Sequence, residues 1–371
     1  MAPPVKTPGP LQAKGWYAVA APPELRQDPA EMSLPPYSST AKTRLPNLRN
    51  GLMIGFGLGL LVTLGLAFWS DMSALRVTLS RFPWEIFPLT LVCTLFNYVL
   101  RFVKWHFYVR WLGVTNLPAL RSARLFVAGF PLAVTPGKVG EALKAFWLSE
   151  WSGLPFASGL PIVIAERISD GLAVLILSLL GVITYPRLWP GFLAVLLALL
   201  GVVVVSQIRP LALWILSRME TFPVLGARIH PLHGFYEASY RLFRPGPTLI
   251  AVSLGTVSWL GEGVGFFLIL RGLGMPNSVN TLVLAVFVLA FSTVVGAVSA
   301  LPGGLGAAEA SLTGLLLLTL APPHAVAVAA TLLIRLGTLW FGVGLGLLVW
   351  IATPSLWHRL ERNGETSDVA R

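Results

Sequence analysis

The sequence contains one cysteine, Cys93, among 371 residues. An intrachain disulfide needs two cysteines and multi-cysteine zinc sites need more, so both are excluded. Charged residues are also scarce, at 12%, whereas 55% of the residues are hydrophobic. Several apolar runs of about 18 or more residues are long enough to cross a hydrocarbon core roughly 30 Å thick. We therefore predict an all-α polytopic membrane protein.

Several catalytic sequence motifs are also missing. The chain has no GxxxxGK[ST] sequence for binding ATP phosphates and no HExxH, DDxxD or GxSxG sequence. Only five histidines are present. We therefore predict no cofactor, no metal site and no catalytic residue, and the first interpretation is a protein that is not an enzyme.

Acidic side chains are the minority charge, because 16 Asp and Glu face 27 Lys and Arg and leave a formal net charge of +11. In a soluble chain this excess would suggest nucleic acid. In a membrane protein, Lys and Arg concentrate in cytoplasmic segments and meet anionic lipid. The predicted partners are therefore membrane lipids and not nucleic acid.

Residues 1–48 are rich in proline and lack a long apolar stretch. This composition predicts a disordered cytoplasmic tail, because a secretory signal would place its apolar region nearer the start. A transmembrane domain is predicted over 49–353, followed by a short cytoplasmic tail over 354–371. Within the domain, 207–246 is too polar to span, which leaves a cytoplasmic interfacial helical linker or an ordinary basic loop.

A Pro-Gly motif occurs twice in apolar sequence, and the second copy begins 302 − 136 = 166 positions after the first. Proline and glycine break helices, and a broken backbone in lipid is tolerated only where it is buried in protein or lines a watery cavity. Two such breaks at corresponding places in two halves indicate a transporter binding site. The motif residues predicted to bind substrate are Pro136, Gly137, Lys138, Gly140 and Glu141 in the first copy and Pro302, Gly303, Gly304 and Gly306 in the second.

Six full spans are predicted, at about 51–69, 86–112, 159–184, 188–206, 247–271 and 324–352. The stretches at about 119–150 and 280–320 hold the motifs and are predicted as broken re-entrant hairpins. If each hairpin returns to the side it entered, the arginine-rich segment 207–246 and both termini are cytoplasmic, as the positive-inside rule favours. The hairpins then enter from opposite faces and the halves form an inverted repeat. The predicted location is the inner (plasma) membrane.

A polar stripe runs along the span 86–112. Its residues follow the spacing i, i+4, i+7 and i+11, which places them on one helix face: they are Asn97, Arg101, Lys104 and Tyr108. A charge at mid-bilayer costs at least about 2.5–3.5 kcal/mol, so we predict that Arg101 and Lys104 bind substrate. The alternative is that Lys104 and Tyr108 extend to the cytoplasmic interface.

Further charges interrupt the later spans. Glu166, Arg167 and Asp170 lie within one helical turn, so either they satisfy one another or the carboxylates hold Arg167 against a ligand anion. Glu262 is isolated within its helix, and we predict that it forms an ion pair with Arg335. The carboxylates at 166, 170, 262 and 309 are the predicted ion-pair or proton-coupling groups.

The motif turns have chemistry of their own. A half-helix that begins near Lys138 would present unpaired N–H groups and a partial positive charge to a phosphate. Glycine lets such a phosphate approach the backbone closely, and Glu141 and Glu309 would lie in first turns, where the helix dipole favours carboxylates. The alternative is that the glycines only permit tight helix crossing.

Four motifs in order carry a family resemblance: Pro136-Gly-Lys-Val-Gly-Glu141, Glu166-Arg167-Ile-Ser-Asp170, Leu301-Pro-Gly-Gly-Leu-Gly306 with Glu309, and Arg335 in the last span. The chain resembles the flippase-like transmembrane region of lysylphosphatidylglycerol synthases, the multiple peptide resistance factor family, as a stand-alone member. One departure is Lys138, where arginine is expected more often. The resemblance covers about residues 50–352.

The resemblance implies movement of a phospholipid or similar lipid between leaflets. It does not imply lysyl transfer, because only about 19 residues follow the last predicted span, where bifunctional members carry a soluble synthase domain. Two other functions stay open: an intramembrane transferase acting on lipid-linked phosphates, and a membrane scaffold for a separate lipid-modifying enzyme. The sequence also leaves open a homodimer and a soluble lipid-modifying enzyme as a partner.

Overall fold

The computed structural model describes residues 48–69, 71–135, 140–210 and 226–353. The predicted tails, apart from Leu48, and the motif residues Pro136, Gly137 and Lys138 lie outside the described residues. Every regular element of the described residues is helical, which confirms the all-α class. The helices are α1 Leu48–Trp69, α2 Met72–Ser80, α3 Ile86–Trp111, α4 Ala119–Ala128, α5 Ala142–Ser152, α6 Phe156–Val182, α7 Trp189–Gln207, α8 Gly226–Leu242, α9 Pro245–Gly272, α10 Val279–Val298, α11 Ala307–Thr319, α12 His324–Arg335 and α13 Phe341–Ala352.

Helix α3 is polar on its inner face and apolar on its outer face. Thr94 and Asn97 are buried, whereas Leu89, Val92 and Val99 are each more than half exposed. A soluble helix would show the opposite pattern, because water would favour the polar side chains. The inversion indicates that lipid surrounds the bundle, and it places the predicted polar stripe toward the protein interior.

Five described segments are long and apolar enough to cross a membrane, namely α3, 186–207 with α7, α9, α10 and the α12–α13 segment 324–352. Helix α6 is also long, at 27 residues, or roughly 40 Å, but it carries three charged residues in mid-helix. Helix α10 was expected to be one limb of a broken hairpin, yet its 20 residues suffice for a span by themselves. The six-span count and the re-entrant hairpins therefore remain predictions.

The second Pro-Gly motif breaks the chain between α10 and α11, as expected. A 3-10 turn covers Pro302–Gly304, and Gly303, Gly304 and Gly306 have φ angles of 61°, 67° and 88°. These left-handed conformations favour glycine. Space also requires it, because a side chain at Gly304 would begin 2.9 Å from the Cα atom of Gly296.

The described helices follow the same order twice: a helix, an interrupted hairpin and a second helix. The first set is α3, α4–α5 and α6, and the second is α9, α10–α11 and α12–α13. Helix α3 packs along α9, where Ser258 donates to the Asn97 carbonyl at 3.1 Å. The hairpin limb of each set packs on the last helix of the other set, α10 on α6 and α4 on α13.

The turns that interrupt the two hairpins contact each other. The 3-10 turn Phe130–Val134 precedes the first motif, and its Val134 side chain lies against Gly303 of the second. Helix α1 contacts both turns, with Gly55 against the Val134 carbonyl and Gly59 near Leu305, which ends the second turn. Gly59 also packs against Trp340. Small residues allow this close approach, as they commonly do between membrane helices.

A buried charged cavity as the candidate functional site

A cavity of about 510 Å³ lies between helices α3, α5, α6, α9, α10 and α12. This volume is within the usual range for small-molecule pockets, about 300–1,000 Å³. Apolar residues line much of it. Its charged lining consists of Arg101, Glu141, Lys144, Glu166, Arg167, Asp170, Glu262 and Arg335.

Glu166 of α6 is the centre of the first ion-pair cluster. Its carboxylate accepts from Lys144 Nζ of α5 at 2.5 Å and from Arg167 Nη2 at 2.7 Å. Arg101 Nη2 of α3 lies 3.4 Å away. The Glu166 side chain is fully buried, so these cations offset the cost of taking its charge out of water.

Asp170 lies one turn further along α6 and joins the same cluster. It forms a close ion pair with Lys104, and Arg101 Nη2 and Arg167 Nη2 lie 3.4 and 3.5 Å from its Oδ2 atom. Lys104 is fully buried and Tyr108 nearly so. Extension of these two side chains to the membrane surface, the alternative considered for the stripe, is therefore wrong, because the Asp170 carboxylate draws the lysine inward.

Arg167 is the most exposed side chain of this cluster, at 33%. Its Nε atom lies 3.3 Å from Glu141 of α5, so it bridges α5 and α6. The predicted local pairing of Glu166, Arg167 and Asp170 is thus present, and it extends to two other helices. Arg167 remains open to the cavity, where it can meet a ligand anion.

A second cluster joins Arg335 to the second Pro-Gly motif. Arg335 donates from Nε to Glu309 at 2.5 Å and from Nη2 to the Gly303 carbonyl at 2.9 Å. The other Glu309 oxygen accepts from the Gly306 backbone N–H at 2.7 Å, which caps the first turn of α11. The structure therefore brings together the predicted residues of this motif and Arg335.

The predicted ion pair between Glu262 and Arg335 is wrong. Arg335 is held by Glu309 and the Gly303 carbonyl, which together satisfy two of its donor groups. Glu262 instead accepts from Asn97 Nδ2 of α3 at 3.3 Å. The Glu262 residue is 4% exposed.

The first motif is described only from Gly140 onward. The Gly140 N–H donates to the Thr135 hydroxyl at 3.1 Å. Glu141 stands at the N-cap of α5 but makes no capping hydrogen bond, because its side chain faces Arg167. Phosphate binding by this turn remains a prediction.

Sequence reasoning left several cavity-lining residues outside the predicted site, and three of them are Lys144, Tyr98 and Trp259. Lys144 lies under the Trp105 and Phe126 rings, with Nζ 4.7 and 5.4 Å from their centroids. Tyr98 donates to the Thr338 carbonyl at 2.7 Å, inside the π-helical turn Leu336–Trp340. Trp259 stacks near Arg101 at 5.8 Å. These contacts join helices far apart in sequence, so no local spacing signalled them, although π-helical turns frequently mark functional sites.

Among the described residues, no group of three or more His, Cys, Asp and Glu is arranged to hold a metal ion. The carboxylates that meet in the first cluster are engaged by Lys and Arg instead. The arrangement can therefore exchange ion-pair partners with an incoming charged group.

Helices that turn polar side chains inward around a charged cavity and apolar ones outward define a multi-pass membrane protein. The family described as the lysylphosphatidylglycerol synthase TM region matches residues 56–346, and the chain belongs to this family. A UPF0104 membrane protein of Methanothermobacter thermautotrophicus is 26% identical over 314 residues, which cover 79% of this chain and 91% of that protein. No solved structure matches the chain.

Proposed function

We propose that this protein is a lipid transporter, or flippase, that moves a phospholipid or lipid-linked phosphate between leaflets. The observation that carries the proposal is Arg167, a partly exposed guanidinium held by buried carboxylates on the wall of the cavity. Buried charges in membrane helices mark substrate or ion pathways by default. Membership of a family often linked to lipid flipping supports the same function.

The cavity contains hydrogen-bond donors that an entering headgroup could use. The Nε atom of Arg101 is buried and makes no hydrogen bond, and the Nε atom of Arg167 lies 3.3 Å from Glu141 as an ion pair without a hydrogen bond. Guanidinium groups bind phosphate with strong, charge-assisted hydrogen bonds. An entering phosphate would contact these donors and replace part of the ion-pair network, while the acyl tails stay in lipid.

Passage between leaflets would use the two contacting turns as gates. In each half, α3–α6 and α9–α13, the first helix of the hairpin packs on the last helix of the other half. This reciprocal packing supports the inverted repeat, an arrangement suited to alternating access. Movement would be passive or coupled to an ion, since the sequence has no P-loop. The protein would not be an enzyme, and it would lie in the plasma membrane with both termini in the cytoplasm.

The test is a lipid-movement assay with purified protein in liposomes that contain a fluorescent phospholipid, read with a membrane-impermeant quencher. The double variant Arg167→Ala/Arg335→Ala should lose movement. Arg187→Ala is the matched control, because Arg187 is exposed and does not line the cavity. Normal movement by the double variant would refute the proposed site. No observation on the described residues favours the transferase or the scaffold, which makes lipid movement the function to test first.

A further inference from the structure

Glu262 differs from the other carboxylates at the cavity. Glu141, Glu166, Asp170 and Glu309 each form an ion pair with a Lys or Arg side chain. Within the part of the chain that the structure describes, Glu262 forms no ion pair, and its hydrogen-bond partner is the Asn97 amide. An ionised carboxylate buried without a cation is costly, and binding a proton removes that cost.

The partner of Glu262 is itself incompletely satisfied. Asn97 is fully buried, and its Oδ1 atom makes no hydrogen bond. An asparagine amide presents donors on one side and an acceptor on the other. Asn97 can therefore donate from Nδ2 to an ionised Glu262, or turn its amide and accept from the O–H of a protonated one. Glu262 can therefore form a hydrogen bond with Asn97 in either protonation state, as the acceptor when it is ionised and as the donor when it is protonated.

We propose that Glu262, with Asn97, is the proton-binding site that couples lipid movement to proton movement. This inference rests on the proposed function and names its coupling ion. A proton suits the site better than a metal ion, because the Glu262 carboxylate and Asn97 Oδ1 offer three oxygens, whereas a hard cation such as Ca²⁺ takes about 6–8.

Charged residues near Glu262 connect it to the first ion-pair cluster, the one around Glu166 and Asp170 where we propose that the headgroup binds. The titratable and charged groups that face Glu262 are Arg101 and Tyr98 on α3, Asp170 on α6 and Arg335 on α12. Helix α10 also packs on α9 and contributes none. Arg101 lies one turn from Asn97 on the same face of α3 and contacts Glu166 and Asp170.

Arg101 therefore interacts both with the proposed proton site and with the first ion-pair cluster. When Glu262 loses its proton, its negative charge attracts Arg101 and weakens the ion pairs of Arg101 with Glu166 and Asp170. A headgroup phosphate that engages Arg101 acts in the opposite direction and favours the proton on Glu262. By linkage, proton binding and headgroup binding then change each other's affinity by the same factor.

The first experiment detects the proton directly and does not depend on lipid movement. Infrared spectra of the purified protein at neutral pH should show the C=O stretch of a protonated carboxyl group. Glu262→Gln should abolish this signal, and Glu309→Gln should retain it, since Glu309 is ion-paired. Asn97→Ala should keep the signal and shift its frequency, because a hydrogen bond is lost. Absence of the signal in the unaltered protein, or its persistence in Glu262→Gln, would overturn the proposal.

The second experiment measures coupling in liposomes with and without a pH gradient. The unaltered protein should move lipid at a rate that depends on the gradient, and Glu262→Gln should move it at one rate in both conditions. If the unaltered protein moves lipid at the same rate with and without the pH gradient, the proposed proton coupling is overturned, but the proposed lipid transport is not. Complete absence of lipid movement would instead overturn the proposed function, whatever the infrared result.

A comparison of two lipids tests whether Glu262 binds a proton or the amine of a lipid headgroup. The liposomes are made once with phosphatidylethanolamine and once with phosphatidylcholine as the labelled lipid. The proposal expects Glu262→Gln to affect the two lipids alike. Selective loss of movement for the primary-amine lipid would overturn the proton role and assign Glu262 to the headgroup.

Discussion

Lys144 of α5 donates to Glu166 of α6 across 2.5 Å, and both side chains are buried. This contact fastens the short helix that follows the first motif to the long helix that carries most of the cluster. It therefore sets the position of Arg167 relative to Glu141, because those two residues lie on the same pair of helices.

Replacing Lys144 by methionine should destabilise the protein. Breaking a buried ion pair by removing one partner typically costs about 3–5 kcal/mol, and here Arg101 and Arg167 would retain part of the compensation for Glu166. We expect a lower midpoint of thermal unfolding in detergent. The double variant Lys144→Met/Glu166→Gln should lose less than the sum of the single variants, whereas additive losses would contradict the direct pair.

Arg335→Lys should impair lipid movement although it keeps the positive charge. Arginine reaches Glu309 and the Gly303 carbonyl through two separate nitrogens, a fork that a lysine ammonium cannot reproduce. Losing one charge-assisted hydrogen bond should cost about 1.5–3 kcal/mol. The check is the liposome assay beside thermal unfolding. Activity equal to that of the unaltered protein would show that the fork is unnecessary.

Gly304→Ala should destabilise the second turn. The residue has a left-handed conformation with φ 67°, which costs other residues about 1–2 kcal/mol, and the new methyl group would lie 2.9 Å from the Gly296 Cα. Gly314→Ala is the matched control, since Gly314 lies within α11 with nothing within 4 Å of an added carbon. Unfolding midpoints should fall for the first variant and stay level or rise for the second. Equal midpoints for the two variants would contradict the need for glycine at position 304.

The inverted repeat makes a prediction about sidedness. Thr115 precedes α4 and Asn277 precedes α10, and both are exposed. In a Cys93→Ala background, Thr115→Cys should react with an impermeant maleimide only from the cytoplasmic side and Asn277→Cys only from the outside. Labelling of both from one side would refute opposed hairpins.

Local periodicity predicted the parts of the site that lie on single helices. The inward stripe on α3 follows from the spacing of Asn97, Arg101 and Lys104, and the contacts of Arg167 with Glu166 and Asp170 follow from neighbouring positions on α6. Partners on different helices were not accessible in this way. The predicted pairing of Arg335 with Glu262 relied on opposite charge alone. In the structure, the break at the second motif instead places Glu309 and the Gly303 carbonyl beside Arg335.

The lengths of the elements were harder to predict than their type. The motifs led us to expect two equivalent hairpins, but α4 has 10 residues and α10 has 20. Helix length in a membrane protein depends on neighbouring helices that cover its polar groups, and one sequence does not say which helices are neighbours. The break at the second motif was predictable, because a left-handed backbone strongly favours glycine and the motif supplies Gly303, Gly304 and Gly306.

The contact of α4 with α13 has a consequence for biosynthesis. Trp350 donates from Nε1 to the Ala128 carbonyl at 2.8 Å, so a helix from the beginning of the chain is completed by one from its end. During translation, the first hairpin therefore enters the membrane long before its packing partner leaves the ribosome. Truncations before Phe341 should leave that hairpin uncovered and expose it to quality-control proteases.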